Sequence, residues 1–262
     1  MKVALIAIAK CEELYIAEWL EYHLSLGFDT IIVADNDDEL ILSGYSSSKV
    51  IIEDYTKVEG VQTKAYKELF HKYKSQFDWI FFCDIDEFVV IEDGRSVKDF
   101  LSSLPQVDMI RLNCKHFTDG DELDVVDGNY NVFDRFKEEM PVDNDRFCKT
   151  FLNTKTDIGQ QKICGHGVYD KKLKAINAEG NPCEVERKTK NVVHKVAWVN
   201  HYRTKTIGEY IRQKYWRGGA NRNPHRYSDW KRYFQVTNNL TQEKIEYAEK
   251  IIADKTITYN NK

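Results

Sequence analysis

The sequence predicts an α/β fold, with a central sheet built from parallel βαβ units, flanking helices and further helices toward the C-terminus. Apolar runs of strand length alternate with segments of helical period through the N-terminal part of the chain. Acid-bearing residues stand immediately after three of those runs, where the carboxyl ends of parallel strands open onto a ligand crevice. The chain has 262 residues, 42% of them hydrophobic and 31% charged, with 13 Gly and 4 Pro, which excludes disordered, collagen-like and linker classes.

Residues 2–9 form a continuous apolar run that reads as a buried strand, followed by a helix over 13–26 with one apolar face that Gly27 ends. The runs at 30–34 and 50–52 are the second and third strands, 61–77 an amphipathic helix, and 79–83 the fourth strand. A short helix follows at 96–104, opened by Ser96. From there to about residue 174 the pattern predicts strands and loops, including strands at 109–112 and 130–136. Thr206-Ile207-Gly208-Glu209 is a capping box opening a basic helix that stops near Gly218-Gly219, and a last amphipathic helix covers 241–253. The whole is expected to be a single domain, 1–262, in three stretches: 1–112, 113–200, and a basic segment with C-terminal helices at 201–262.

The charge is unevenly spread. Ten Lys/Arg against two acids between residues 194 and 232 make that segment +8 in a chain of net charge −4. Aromatics interleave there, so single-stranded nucleic acid is a formal candidate. The acidic remainder instead favours a small anionic ligand over a long polyanion, and no nucleic-acid partner is expected. Six cysteines without a Cys-x-x-Cys pair predict reduced thiols in a cytoplasmic protein. The apolar run at 3–9 is far too short to cross a bilayer and short for a secretion signal, while peripheral membrane association stays open.

The sharpest local signal is Asp84-Ile85-Asp86-Glu87, delivered from the end of the fourth strand. Two carboxylates two residues apart suit Mg²⁺ or Mn²⁺ shared with a phosphate-bearing substrate, although a solvated acidic turn has the same appearance. Phosphohydrolases of the haloacid dehalogenase type also use Asp-x-Asp, but this chain places Phe88 where they need Thr or Val. Asp35 and Asn36 follow the second strand and are candidates for contacts to a base or ribose, or for a purely local turn. His201 precedes the cation Lys205 by four residues within the basic segment, suggesting a metal ligand beside a diphosphate site.

These stretches together are similar to the glycosyltransferase family 2 and family 92-like group. The resemblance rests on residues 7–13, Trp19-Leu20-Glu21-Tyr22-His23 with Leu26-Gly27, 35–37, 84–88, and 200–205 with Arg217-Gly218. It implies a GT-A fold, a Rossmann-like nucleotide-diphospho-sugar transferase whose mixed sheet is flanked by helices. It further implies a nucleotide-diphosphate-sugar donor, expected to be a UDP-hexose, and a glycan or lipid-linked sugar acceptor in surface polysaccharide or glycan assembly. Mn²⁺ or Mg²⁺ is expected on Asp84, Asp86 and His201. Nucleotide contacts fall to Ala9, Lys10, Glu12, Asp35, Asn36, Asp84 and Ile85, and diphosphate contacts to Lys205, Lys214 and Arg217. The chain has Lys10-Cys11-Glu12 where Arg-Asn-Glu is common in the group, and positions 113–190 match only sparsely. A base is needed to take the acceptor hydroxyl's proton, and Asp119, with Asp121 second, is the expected source because this acid-rich loop follows the 109–112 strand. A non-catalytic nucleotide- or glycan-binding module is the competing class.

Overall fold

A computed structural model of the chain describes residues 1–58, 61–126, 128–141, 145–159, 161–217, 229–236 and 238–254. In chain order the elements are β1 (Val3–Ala9), α1 (Ile16–Ser25), β2 (Thr30–Asp35), β3 (Val50–Asp54), α2 (Gln62–Tyr73), β4 (Trp79–Phe82), β5 (Glu87–Ile91) and α3 (Val97–Ser102). There follow β6 (Met109–His116), α4 (Val132–Arg135), β7 (Cys148–Asn153), β8 (Ile163–Cys164), β9 (Gly167–Val168), β10 (Ala175–Asn177), β11 (Ala197–His201), α5 (Ile207–Tyr210), α6 (Trp230–Gln235) and α7 (Gln242–Ala253).

The sheet runs in the order β3-β2-β1-β4-β7-β6-β11-β5, with β10 beside β6. Strands β3, β2, β1 and β4 are parallel, as the βαβ alternation predicts. Beyond β4 the direction reverses, because β7 is antiparallel to both β4 and β6, and β11 is antiparallel to β5. The result is a mixed sheet, and side chains leave its two faces alternately. On one face Ile80 and Phe82 of β4 join Ala65, Tyr66, Leu69 and Phe70 of α2. On the other, Phe81 packs in a tilted pair against Phe151 of β7 with ring centroids 4.3 Å apart, and Phe28 and Phe100 extend that cluster. The all-apolar strands are thus covered on both sides, the condition under which parallel strands are stable.

The described structure divides into two compact units, one made of Met1–Lys115 with Pro141–His201, the other of His116–Met140 with Tyr202–Lys262. The first holds the sheet. The second has its own core, in which Ile207, Tyr210 and Ile211 meet Trp230, Phe234, Ala248 and Ile251. The capping box forms as expected, with Thr206 accepting from the Glu209 N–H and the Glu209 carboxylate reaching back. Glu209 also pairs with Arg135 at 2.8 Å, joining two stretches of chain 74 residues apart.

Two expectations are corrected. Residues 130–136 do not form a strand: Asn131 caps the N–H of Asp134 and a turn of helix, α4, follows, a local side-chain bond outweighing the apolar pattern. The basic helix from Thr206 is not regular, for α5 passes at Ile211–Tyr215 into a wider π-type turn. The end expected for it at Gly218-Gly219 lies outside the described residues. None of the six cysteines is disulfide-bonded. Among the described residues no helix is long and apolar enough to cross a membrane.

Candidate functional site

The acid cluster forms where β4 ends. The Glu87 N–H donates to the Asp84 carbonyl at 3.1 Å while the Asp84 N–H donates to Glu87 Oε2 at 2.9 Å, so residues 84–87 close into a turn on themselves. That turn starts β5, whose antiparallel pairing with β11 sets His201 opposite Glu87. His201 Nε2 stands 3.6 Å from Asp86 Oδ1 and its Nδ1 stands 3.6 Å from Glu87 Oε1. Oxygens of Asp84, Asp86 and Glu87 lie within 4.8 Å of one another, and Glu87, Cys114 and His201 form a second such group. This set of hard carboxylate oxygens with one imidazole fits a divalent cation of the Mg²⁺ or Mn²⁺ kind.

A lysine stands inside this cluster. The register of β4 against β7 pairs Phe82 with Thr150, which brings Lys149 level with the start of the acid turn. Its Nζ is 2.6 Å from Asp84 Oδ2 and 2.6 Å from Glu87 Oε2, and its side chain is 1% exposed. The other oxygen of Asp84 accepts from Gln62 Nε2 at 2.9 Å and from the Tyr66 hydroxyl at 3.2 Å, both on α2. The β8–β9 hairpin turns beside the ammonium at Gly165, where a Cβ would lie 3.3 Å from Lys149 Nζ and 3.3 Å from Gln62 Nε2. The next residue, His166, is tied by Nδ1 to the Cys148 carbonyl at 2.9 Å.

The electrostatics follow from burial and this cation. Burial lifts Asp84 and the Asp86 charge adds to the rise, but the charge and hydrogen bond of Lys149, together with His201, hold the carboxyl below its ordinary range. Burial lifts Glu87 to about 8, with Asp84 and Asp86 adding to the rise and Lys149 opposing it. Burial works against the Lys149 ammonium, yet Asp84 and Glu87 keep it well above its usual value. His166 falls to about 3 through burial and the neighbouring Lys149 charge.

At the ends of β1 and β2 the expected nucleotide residues assemble in the same unit. The Ala9 carbonyl accepts from the Asn36 N–H at 2.9 Å, extending the ladder. Asp35 is fully buried, taking the N–H of Leu42 at 2.8 Å and of Asp37 at 3.2 Å, and the Asn36 amide donates to the carbonyls of Tyr55 and Val58. Both side chains therefore shape the loop. Lys10 reaches Asp38 at 4.0 Å, the Glu12 carbonyl accepts the first N–H groups of the turn into α1, and Ile85 is buried. Asp37, outside the expected set, is less fully satisfied than Asp35 or Asn36. It accepts from the Cys11 N–H at 2.9 Å, at a residue with φ of 55°, while its buried Oδ2 has no hydrogen-bond partner among the described residues. Burial raises its carboxyl to about 6, helped by Asp35 and Glu13 and opposed by the Cys11 N–H.

The remaining expected residues belong to the second unit. Lys205 and Lys214 are buried, their ammonium groups donating to Gln213 Oε1 at 3.3 Å and to the Arg203 carbonyl, and Arg217 is half-buried. Asp119 is 2% exposed and pairs with Lys244 at 2.7 Å, while Asp121, 77% exposed, meets the same ammonium at 2.9 Å.

Asp84, Asp86 and His201 were legible as a set and do come together. Glu87, Gln62, Tyr66 and Lys149 were missed as members of the site; only Glu87 had a signal, its place beside the acid pair. Lys149 had none, since nothing in a run of sequence tells which antiparallel partner a strand will take.

A crystal structure of residues 1–349 of S. aureus TarS, one of 45 matching chains of solved structures, has a TM-score of 0.42 and 14% identity, covering 96% of this chain and 71% of that one. No curated protein sequence matches the chain. The family model described as glycosyltransferase family 92 matches residues 9–249, nearly the whole length that carries the sheet, the acid turn and the C-terminal helices. The chain belongs to glycosyltransferase family 92.

Proposed function

We propose that this glycosyltransferase moves a hexose from a UDP-linked donor to an acceptor hydroxyl on a glycan or lipid-linked sugar, using Mn²⁺ or Mg²⁺, in assembly of a surface polysaccharide or glycan. The observation that supports it is the convergence of Asp84, Asp86, Glu87 and His201 at the end of β4. Asp86 and His201 would hold the cation, with Asp84 and Glu87 behind them. When bound, the cation supplies positive charge for the diphosphate oxygens as they take up the electrons of the breaking sugar–phosphate bond.

The protein's own groups do the rest. Gln62, Tyr66 and Lys149 fix the Asp84 carboxylate in one orientation, so little reorganisation is needed on donor binding. The base and ribose are assigned to the β1 and β2 ends, where the unsatisfied Asp37 Oδ2 suits a hydroxyl or ring N–H. Lys205, Lys214 and Arg217 are assigned to the diphosphate, and the acceptor's proton to Asp119 or Asp121. Isothermal titration with UDP, GDP and dTDP, with and without Mn²⁺, tests the donor class. The expected result is binding of UDP that requires the metal; equal binding of UDP to the Asp86→Ala protein would remove the cation from the reading.

A further inference from the structure

We propose that Lys149 is a built-in counter-cation that keeps the metal site weak until the donor's phosphates arrive, so that cation and nucleotide diphosphate bind as one. The inference rests on the metal-dependent reading above and concerns a residue which that reading uses only to orient Asp84.

The cluster holds three carboxylates, Asp84, Asp86 and Glu87, within reach of one cation. Acids so gathered would by themselves take a divalent ion from solution. Lys149 changes this in two ways. Its ammonium occupies Asp84 Oδ2 and Glu87 Oε2 at 2.6 Å each, withdrawing one oxygen from each of two acids. Gln62, Tyr66 and the Asp84 N–H take further lone pairs of the same two carboxylates. The ammonium also places a positive charge beside the incoming metal where little water screens it.

Lys149 is held in that position. Tyr66 is fully buried against the cluster, and the hairpin backbone at Gly165 stands where any side chain would press on Nζ. A long flexible side chain on the surface would swing out to let a metal in; this one has no such room. Asp86, His201 and Glu87 Oε1 lie outside the Lys149 contacts and would hold the metal, a short set that phosphate oxygens would complete. By linkage, whatever tightens the metal through the nucleotide tightens the nucleotide through the metal equally. Departure of the spent nucleotide then takes the metal's binding partner with it.

The test is Mn²⁺ affinity of the full chain, read from the electron paramagnetic resonance signal of free Mn²⁺, with and without UDP. In the wild-type protein UDP should tighten Mn²⁺ by about tenfold or more, the scale of ordinary coupling between sites. In Lys149→Met, Mn²⁺ alone should bind about tenfold tighter than to the wild type, and the increment from UDP should shrink. Lys149→Arg keeps the charge and should keep the weak nucleotide-free affinity. Unchanged or weaker Mn²⁺ binding in folded Lys149→Met overturns the proposal, and so does a wild-type affinity that UDP does not alter, a result that stands even if Lys149→Met does not fold. If Mn²⁺ and Mg²⁺ bind the wild type neither alone nor with UDP, GDP or dTDP, the metal-dependent reading itself falls; if they bind with UDP and only the Lys149→Met result fails, that reading stands without this one.

Discussion

Two places in this molecule set a pair of acids against one buried lysine, and they differ in balance. In the second unit Lys244 meets Asp119 at 2.7 Å and Asp121 at 2.9 Å, Asp121 reaching solvent, while the Asn238 side chain takes the Asp119 N–H at 2.7 Å. In the first unit Lys149 meets Asp84 and Glu87, but a third acid, Asp86, and the imidazole of His201 adjoin the same cluster. One buried lysine can tie two acids in either setting, so the groups that adjoin the pair decide what chemistry each cluster can do. What matters is whether charge and lone pairs remain after the protein's own groups are satisfied.

The largest expected effect separates Asp86 from Asp84. Asp86→Ala should lower transfer by roughly 10³-fold or more, the order of a lost metal centre, with the circular dichroism melt little changed. Asp84→Ala should lower transfer and also the melting temperature, because it leaves the buried Lys149 ammonium with Glu87 alone and takes away the carboxylate that Gln62 and Tyr66 donate to. Equal melts for the two variants would contradict the division drawn between them.

Asp119→Asn probes the other cluster. Lost charge pairing with Lys244 should lower the melting temperature by roughly 5 °C, from about 2 kcal/mol at about 2–4 °C per kcal/mol. If Asp119 is instead the base, turnover of the folded variant should fall by roughly 10²-fold with the melt unchanged. Measuring both quantities on one preparation decides between support and catalysis, and a loss of turnover in Asp121→Asn with Asp119→Asn near normal would move the base by two residues.

Gly165→Ala is a smaller perturbation of the first cluster. The added methyl would press on Lys149 Nζ and Gln62 Nε2 at 3.3 Å, so a loss of about 1–2 kcal/mol in urea melts is expected. The smallest effect concerns Asp37. Its carboxyl titrates at about 6 in the folded chain and lower when unfolded, so the folded state binds more protons in between. Its contribution is therefore favourable at low pH and is lost as the pH rises toward 6. Asp37→Asn, whose carbonyl can still accept from Cys11, should match the wild type near pH 4 and melt a few degrees higher at pH 7; parallel curves would show that Asp37 is not strained.

By itself the sequence determined the parallel half of the sheet, the acids at the end of β4 and the capping box at Thr206, since each is written in residues adjacent along the chain. A buried strand announces itself by an unbroken apolar run, a helix start by Thr206 and Glu209 three residues apart, and a ligand crevice by polar residues at a strand's end. The helical turn at Val132–Arg135 was misread because one side-chain bond from Asn131 outweighs a short apolar pattern. Tertiary structure alone decided which lysine answers which acid. Lys149 lies 65 residues from Asp84 and Lys244 lies 123 from Asp121, and neither pairing has a local signal. The first depends on the antiparallel register of β7 against β4, where a one-residue slip would turn Lys149 to the opposite face of the sheet. The second depends on α7 packing in the same unit as the loop after β6. Charge balance in a buried cluster is a property of neighbours in space, and the low dielectric that makes it consequential exists only once the chain has folded around it.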